Sequence, residues 1–201
     1  MSPAPTRPTM FVIAGPNGAG KTTFYETVLE SRIAAPFINA DRIQYEELKE
    51  PPMEAAYRAA AIAAERREAY LAAGESFVTE TVFSHPSKLE LLAQARAVGF
   101  RIIVFHLGLA SADLAVARVT ERIDEGGHAV PEDKIRARFD RNQSLIRQAV
   151  LAADRAAVYD ASALNKVPVL LLRFERSYVA YRADDLPPWC EDLYGDLGGD
   201  E

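Results

Sequence analysis

A short stretch near the start of the chain, "GPNGAGKTTF" at residues 15–24, contains the residue types that bind phosphate. Two glycines five positions apart precede Lys21 and Thr22, which completes the pattern G-x-x-x-x-G-K-S/T. Glycines let the backbone curl so that N–H groups converge, and a helix beginning there adds its positive dipole end. Lys21 supplies a charge to the outer phosphates, and the Thr22 hydroxyl can coordinate magnesium. The pattern predicts a loop for a nucleoside triphosphate, with ATP and Mg2+ as cofactors.

Two carboxylates are expected close to this loop. Asp41 follows the short apolar run "PFINA", and Glu80 lies inside the apolar run "FVTETVF". A glutamate among apolar residues is costly to bury without a partner, which favours a contact with substrate, an arginine or metal-bound water. Asp41 is predicted to orient or deprotonate a substrate hydroxyl, and a solvated loop or helix-capping aspartate is the alternative.

Arginines that could hold an anion follow later in the chain. Arg118 and Arg122 are four residues apart and share a helical face, as do Arg138 and Arg141, three apart on the next helix. The segment between them, "DEGGHAVP", has paired glycines and a proline that suit a hinged helical lid. Arg122, beside this lid, is predicted to contact phosphate, whereas Arg136 and Arg141 are expected to be solvated surface residues.

Predicted strands and helices alternate along the chain. The strands are "TMFVIAG", "PFINA", "SFVTETVF", "RIIVFHLGL", "AAVYDAS" and "VPVLLLRF", and the helices cover about 21–29, 53–73, 86–98, 111–123 and 132–153. Such alternation predicts an α/β fold with a parallel sheet covered on both faces. Ligands of these sheets bind at the carboxyl ends of the strands, where the phosphate loop, Asn39, Asp41 and Glu80 are all expected.

Length and charge restrict the remaining possibilities. A chain of 201 residues, 49% of them hydrophobic, predicts one domain over 1–182, and the acidic, proline-containing stretch 183–201 is expected to be a peripheral tail. The net charge of -6 argues against general nucleic-acid binding, because that affinity comes from clustered Lys and Arg. The single cysteine, Cys190, and the absence of a long apolar run predict a cytoplasmic protein without a membrane span. Its acidic, proline-rich setting should raise the pKa of the Cys190 thiol.

Several classes of nucleotide-binding protein share the phosphate loop. A GTPase would need Asn-Lys-x-Asp, but "NKVP" at residues 165–168 has Pro168 at the aspartate position. A transporter-type ATPase would carry an LSGGQ-like signature, which this sequence lacks. The remaining interpretation is a kinase of a small hydroxyl-bearing molecule, since phosphoryl transfer needs a loop, carboxylates and cations of this kind. A non-enzymatic ATP-binding regulator is the alternative from another class.

In order and spacing, "GPNGAGKTTF", "FINADRI", "FVTETVFSH", "ARVTERIDEGGHAVPEDKIRARFDR" and "AVYDAS" resemble the zeta toxin family of P-loop kinases, in particular its short chromosomal branch. The resemblance covers about residues 10–162. It implies a P-loop NTPase three-layer sandwich with a mostly parallel sheet of order 2-3-1-4-5. It also implies ATP-dependent phosphorylation of UDP-N-acetylglucosamine or a related sugar nucleotide, with an antitoxin protein as a possible partner. Other acceptors, such as a nucleoside, an antibiotic or a nucleic-acid end, stay open.

The resemblance also implies roles for individual residues. Lys21, Asp41, Glu80 and Arg122 would be catalytic, with Asp41 the base and Arg122 on the transferring phosphate. The family's toxins have a further arginine on the lid, so here either His128 or Arg138 replaces it or the activity differs. The phosphate loop and the two arginine-bearing helices predict the nucleotide-binding set Gly15, Pro16, Asn17, Gly18, Ala19, Gly20, Lys21, Thr22, Thr23, Arg118 and Arg138, with Thr22 also the metal ligand.

Overall fold

Seven strands form one sheet within the part of the chain that the computed structural model describes, which is residues 7–48, 52–124 and 130–197. The strands are β1 (Thr9–Ala14), β2 (Phe37–Ile38), β3 (Phe77–Thr81), β4 (Arg101–Gly108), β5 (Arg155–Asp160), β6 (Val169–Glu175) and β7 (Tyr178–Arg182). They lie in the order β2-β3-β1-β4-β5-β6-β7. The first five strands are parallel and β6 and β7 are antiparallel additions at one edge. The predicted α/β fold with order 2-3-1-4-5 is therefore confirmed.

Helices connect the parallel strands and cover the sheet. They are α1 (Lys21–Phe24), α2 (Ala40–Arg42), α3 (Pro52–Ala73), α4 (Ser87–Ala97), α5 (Ala112–Asp124), α6 (Glu132–Ala152) and α7 (Pro188–Tyr194). The first two continue as π-helical segments, α1 over Tyr25–Leu29 and α2 over Ile43–Leu48. Gly74 and Gly99 follow α3 and α4 with φ of 66° and 91°, a left-handed conformation that ends a helix without side-chain strain.

The core has one layer on each face of the sheet, because side chains alternate along every strand. On β1, Met10 and Val12 pack into one cluster with Phe77, while Ile13 packs into the other with Leu107. All five side chains are at most 1% exposed. The central strands are thus fixed from both sides, which holds their carboxyl ends, and the loops that follow them, in place.

The end of the chain differs from the expected peripheral tail. Residues 188–194 form α7, and Cys190 and Tyr194 are fully buried. Tyr194 forms a 2.9 Å hydrogen bond with Nδ1 of the buried His106 on β4, and the ring of Trp189 lies against Gly108. Apolar side chains spaced along this short helix complete the core. The acidic residues and prolines of the segment mask this apolar spacing in the sequence. Burial raises the pKa of Cys190 to about 12, in the predicted direction.

Candidate active site

The phosphate loop, residues 15–20, joins β1 to α1 as the sequence pattern requires. A Cβ atom at Gly15 would lie 2.3 Å from the carbonyl oxygen of Leu107, so only glycine fits against β4. Gly18 and Gly20 have φ of 77° and 71°, which L side chains rarely adopt. Gly20 is the N-cap of α1 and offers no side-chain hydrogen bond to the helix. The first N–H groups of α1 therefore have no cap, which is the arrangement that binds a phosphate group.

Lys21 is held inside the loop. Its side chain is only 7% exposed, and its Nζ donates a 2.9 Å hydrogen bond to the carbonyl oxygen of Pro16. The same Nζ lies 3.9 Å from Oε1 of Glu80. Lys21 thus places a positive charge between the loop backbone and the end of β3.

Glu80, on β3, connects the loop to the neighbouring strand. Its Oε2 accepts hydrogen bonds from the Thr22 hydroxyl at 2.8 Å and from Nδ2 of Asn39 at 2.7 Å. Nδ2 of Asn39 also lies 3.3 Å from the Thr22 hydroxyl oxygen. These contacts bring together, at the carboxyl edge of the sheet, two of the predicted site residues that are 58 positions apart in the chain.

Asn39, expected at this edge of the sheet from the sequence but without a predicted role, is a further functional candidate. It is 3% exposed and is the N-cap of α2, because its Oδ1 accepts a 3.0 Å hydrogen bond from the backbone N–H of Arg42. That contact fixes the amide so that Nδ2 points to Glu80. In the sequence, a polar residue directly after the apolar run "FI" indicates a position at the edge of the sheet. The contact of Asn39 with Glu80 could not be predicted, because Glu80 lies on another strand.

Asp41 lies in the first turn of α2, two residues after Asn39, with an exposed side chain. Within the described residues, Asp41 forms no hydrogen bond with Thr22 or Glu80, whose partners are each other, Asn39 and Lys21. The cap of α2 is Asn39 rather than Asp41. Asp41 is therefore open to solvent on the same edge as the phosphate loop, where a substrate hydroxyl could reach it.

Arg118 on α5 joins three backbone segments. Its guanidinium donates hydrogen bonds to the carbonyl oxygens of Gly18 at 3.3 Å, Ala161 at 2.7 Å and Ser162 at 2.9 Å. Gly18 belongs to the phosphate loop, and the other two residues follow β5. In this geometry Arg118 is engaged with protein carbonyls, so it supports the shape of the loop.

Some of the remaining predicted cations lie within the described residues. The backbone of Arg122 lies in the last turns of α5, but its side chain and His128 are outside the described residues. Arg138 is half-buried on α6. Arg136, expected at the surface, forms ion pairs with Asp113 at 2.6 Å and Glu132 at 2.8 Å, so it connects α6 to α5.

The residues present fit a magnesium-bound nucleotide. Gly15 and Gly18 let the loop backbone lie against Leu107 and Ala115, the Cβ position of Gly20 is open, and Lys21 supplies a charge beside the loop. The Thr22 hydroxyl and the Glu80 carboxylate provide two oxygen ligands of the kind that Mg2+ prefers. Within the described ranges, no group of three His, Cys, Asp or Glu side chains could hold a metal ion by itself. Mg2+ in kinase sites is usually bound by one or two side chains together with substrate phosphates.

A family model described as "AAA domain" matches residues 10–162, which include the phosphate loop, Asn39, Glu80 and Arg118. The chain belongs to this family. No curated protein matches its sequence. None of the helices in the described residues is long and apolar enough to cross a membrane.

Solved structures with low sequence identity share the fold of this AAA-domain chain. A chain of the AvrRxo1-ORF1:ORF2 complex solved with ATP is 14% identical with a TM-score of 0.68, over 97% of this chain and 64% of that one. A chain of the PezAT chromosomal toxin-antitoxin system of Streptococcus pneumoniae is 14% identical with a TM-score of 0.59, over 95% and 80%. A candidate kinase from Chloroflexus aurantiacus is 22% identical with a TM-score of 0.54, over 67% and 78%. The fold is thus a P-loop, kinase-like one, and the chain spans less than two thirds of the AvrRxo1 protein.

Proposed function

We propose that this protein is an ATP-dependent phosphotransferase that transfers the γ-phosphate to a hydroxyl group of a small acceptor. The observation that carries the proposal is the contact of Glu80 with both Thr22 and Lys21 beside the phosphate loop. Such a site combines an anion-binding loop, a cation and a carboxylate, which are the parts that phosphoryl transfer requires. A structural neighbour that was solved with ATP supports the choice of nucleotide.

Each residue has a role in the proposed reaction. The backbone N–H groups of residues 17–23 bind the phosphates, and the Lys21 ammonium faces their outer oxygens. Thr22 and Glu80 would hold Mg2+, which when bound neutralises phosphate charge. Asn39 keeps the Glu80 carboxylate in place. Arg118 and Arg138 complete the nucleotide site, Arg118 by holding the loop backbone.

The acceptor hydroxyl would lie between the outer phosphate and Asp41. Its oxygen forms a bond to the γ-phosphorus as the bond between that phosphorus and the leaving ADP oxygen breaks. Asp41 orients the hydroxyl and takes its proton, which is the role of a general base. Arg122 would stabilise the charge on the transferring group. The products are ADP and a phosphomonoester.

The favoured acceptor is UDP-N-acetylglucosamine or a related sugar nucleotide. The ordered motifs that resemble the zeta toxin family support this choice, as does the fold shared with a PezAT chain. An antitoxin protein is then a possible partner. A nucleoside, an antibiotic or a nucleic-acid end are the alternative acceptors, and an ATP-binding regulator is the alternative without chemistry.

Mass spectrometry of a sugar-nucleotide panel incubated with protein, ATP and Mg2+ tests the acceptor. We expect one product heavier by a phosphoryl group, formed by the parent protein and absent with Lys21→Ala. A product found only with nucleosides, antibiotics or nucleic-acid ends would move the assignment to that class. A change in oligomeric state or partner binding with ATP, without product from any acceptor, would support the regulator.

A further inference from the structure

The helix α7 lies beyond residues 10–162, the part of the chain that the AAA-domain family model matches. One of its side chains, Trp189, nevertheless reaches the carboxyl edge of the sheet, where β4 and β5 end. Trp189 is the only tryptophan in the sequence, and its side chain is half-buried. None of the roles in the proposed reaction uses this residue.

A polar contact joins Trp189 to the turn that follows β5. Its indole Nε1 donates a 3.3 Å hydrogen bond to Oδ1 of Asp160, the last residue of β5. The same oxygen accepts hydrogen bonds from the backbone N–H and the hydroxyl group of Ser162, at 3.1 and 2.5 Å. The Ser162 hydroxyl oxygen in turn accepts a 2.9 Å hydrogen bond from the backbone N–H of Ala110, which follows β4. Asp160 therefore connects the turn after β5 to α7, and Ser162 connects it to the end of β4.

This turn holds Arg118, the arginine that supports the phosphate loop. The carbonyl oxygens of Ala161 and Ser162 accept hydrogen bonds from its guanidinium at 2.7 and 2.9 Å. The third hydrogen bond goes to the carbonyl oxygen of Gly18 in the loop, at 3.3 Å. Two of the three bonds thus go to the turn that Asp160 shapes, so the position of the guanidinium depends on that turn.

A second connection between α7 and the phosphate loop runs through packing on β4. The ring of Trp189 lies so close to Gly108 that a Cβ atom at this glycine would overlap it. Gly108 directly follows Leu107, whose carbonyl oxygen lies against Gly15 of the loop. The end of β4 therefore contacts both α7 and the loop, and protein interiors are packed densely enough to transmit a shift from one to the other.

We propose that Trp189 is a positioning residue for ATP binding. Trp189 fixes Asp160 and the turn after β5, this turn holds Arg118, and Arg118 holds Gly18 in the loop. Docking of α7 and binding of ATP then strengthen each other, because a coupling between two sites is reciprocal. The inference rests on the proposed function in one respect, which is that ATP binds at this loop. It depends neither on the acceptor nor on phosphoryl transfer.

Calorimetric ATP titration of three variants, each also measured by urea denaturation, tests the role. Trp189→Phe keeps an aromatic ring against Gly108 and removes the N–H donor, so the Kd for ATP should rise about 3- to 10-fold, which corresponds to the loss of about one hydrogen bond. Asp160→Ala removes the shared acceptor and should raise the Kd at least as much. Tyr194→Phe is the matched control, since it removes the hydrogen bond from the same helix to His106 but leaves the contact with Asp160. It should lower stability without changing ATP affinity.

A double-mutant cycle with Arg118→Ala tests whether Trp189 acts through this arginine. In the Arg118→Ala background, Trp189→Phe should weaken ATP binding no further. A further loss by the same factor, or an ATP affinity of Trp189→Phe equal to that of the parent protein, would overturn the proposal. So would losses of affinity in Trp189→Phe and Tyr194→Phe that simply follow their losses of stability. Failure of the proposed function has a different signature: the parent protein would bind ATP with this dependence on Trp189 but would transfer no phosphoryl group.

Discussion

The hydroxyl group of Thr22 lies 2.8 Å from Oε2 of Glu80 and donates a hydrogen bond to it. This contact joins the first turn of α1 to the end of β3, and Asn39 adds a 2.7 Å hydrogen bond to the same oxygen from the end of β2. Residues on or just after three parallel strands therefore surround one carboxylate: Glu80 lies on β3, Asn39 follows β2, and Thr22 lies on α1, which follows β1. The geometry provides a negative charge and a hydroxyl group side by side at the phosphate loop, as a magnesium site requires.

Replacing Glu80 by glutamine tests this environment. Glutamine keeps an oxygen that can accept both hydrogen bonds, but the negative charge next to the buried Lys21 is lost. We expect the Mg2+ concentration needed for half-maximal turnover to rise about 10- to 100-fold, as for other residues that support a metal site. Glu90→Gln on the exposed side of α4 is the control. An unchanged Mg2+ requirement in Glu80→Gln would remove Glu80 from the metal site.

Asp41→Asn tests the proposed base. The amide cannot take a proton, so the transfer rate should fall by roughly 10²- to 10⁴-fold, with the lower end favoured because phosphoryl transfer is often loose. ATP affinity should be unchanged, since Asp41 is exposed and makes no contact with the loop in the described geometry. Single-turnover rates and calorimetric ATP binding separate the two effects. A joint loss of ATP affinity and Mg2+ response would instead make Asp41 a metal ligand.

Arg118→Ala tests whether this arginine supports the loop. Losing its hydrogen bonds to the carbonyl oxygens of Gly18, Ala161 and Ser162 should lower the free energy of unfolding by about 1.5–3 kcal/mol. ATP affinity should fall as well, because the loop would no longer be held. Arg136→Ala removes only surface ion pairs and should lower the stability measured by urea denaturation much less than Arg118→Ala does. A loss of ATP affinity at unchanged stability would make Arg118 a direct nucleotide ligand.

The buried His106 predicts a pH dependence of stability. Burial lowers its folded-state pKa from 6.5 to about 3, so between these values the unfolded chain binds more protons than the folded one. The free energy of unfolding should therefore fall as pH decreases from about 6.5 towards 3, by up to roughly 4–5 kcal/mol from this residue. Urea denaturation at several pH values measures the slope, and His106→Gln should flatten it. Equal slopes for both proteins would contradict the buried, neutral histidine.

Sequence patterns predicted the central fold because its signals are local. The strand, glycine turn and helix around Lys21 occupy fewer than twenty consecutive residues, and the conformations of Gly18 and Gly20 confirm what the pattern required. Glu80 was identifiable because a charged residue interrupts an apolar run. Its hydrogen bonds to Thr22 and Asn39 were not, since they connect positions 58 and 41 residues apart.

The antiparallel edge and α7 were harder to predict because their local sequence signals are weak. The turn from β6 to β7 places Arg176 and Ser177 at φ of 49° and 73°, so the glycine or asparagine that typically marks such a hairpin is absent. Tyr194 meets His106 across 88 residues, and neither residue alone indicates that contact. The segment 183–201 is acidic and proline-rich, but its packing depends on Cys190, Tyr194 and their partners in the core.

Transfer of label from γ-32P-ATP to a small molecule in a metabolite extract tests the central claim most directly. With the parent protein and Mg2+, a labelled product other than a nucleoside triphosphate should appear, and its amount should rise with time and protein concentration. Lys21→Ala, which removes the charge held between Pro16 and Glu80, should form none, while Arg101→Gln should match the parent. Product formation at the parental rate by Lys21→Ala, or labelled inorganic phosphate as the only product of the parent protein, would contradict a phosphotransferase built on this loop.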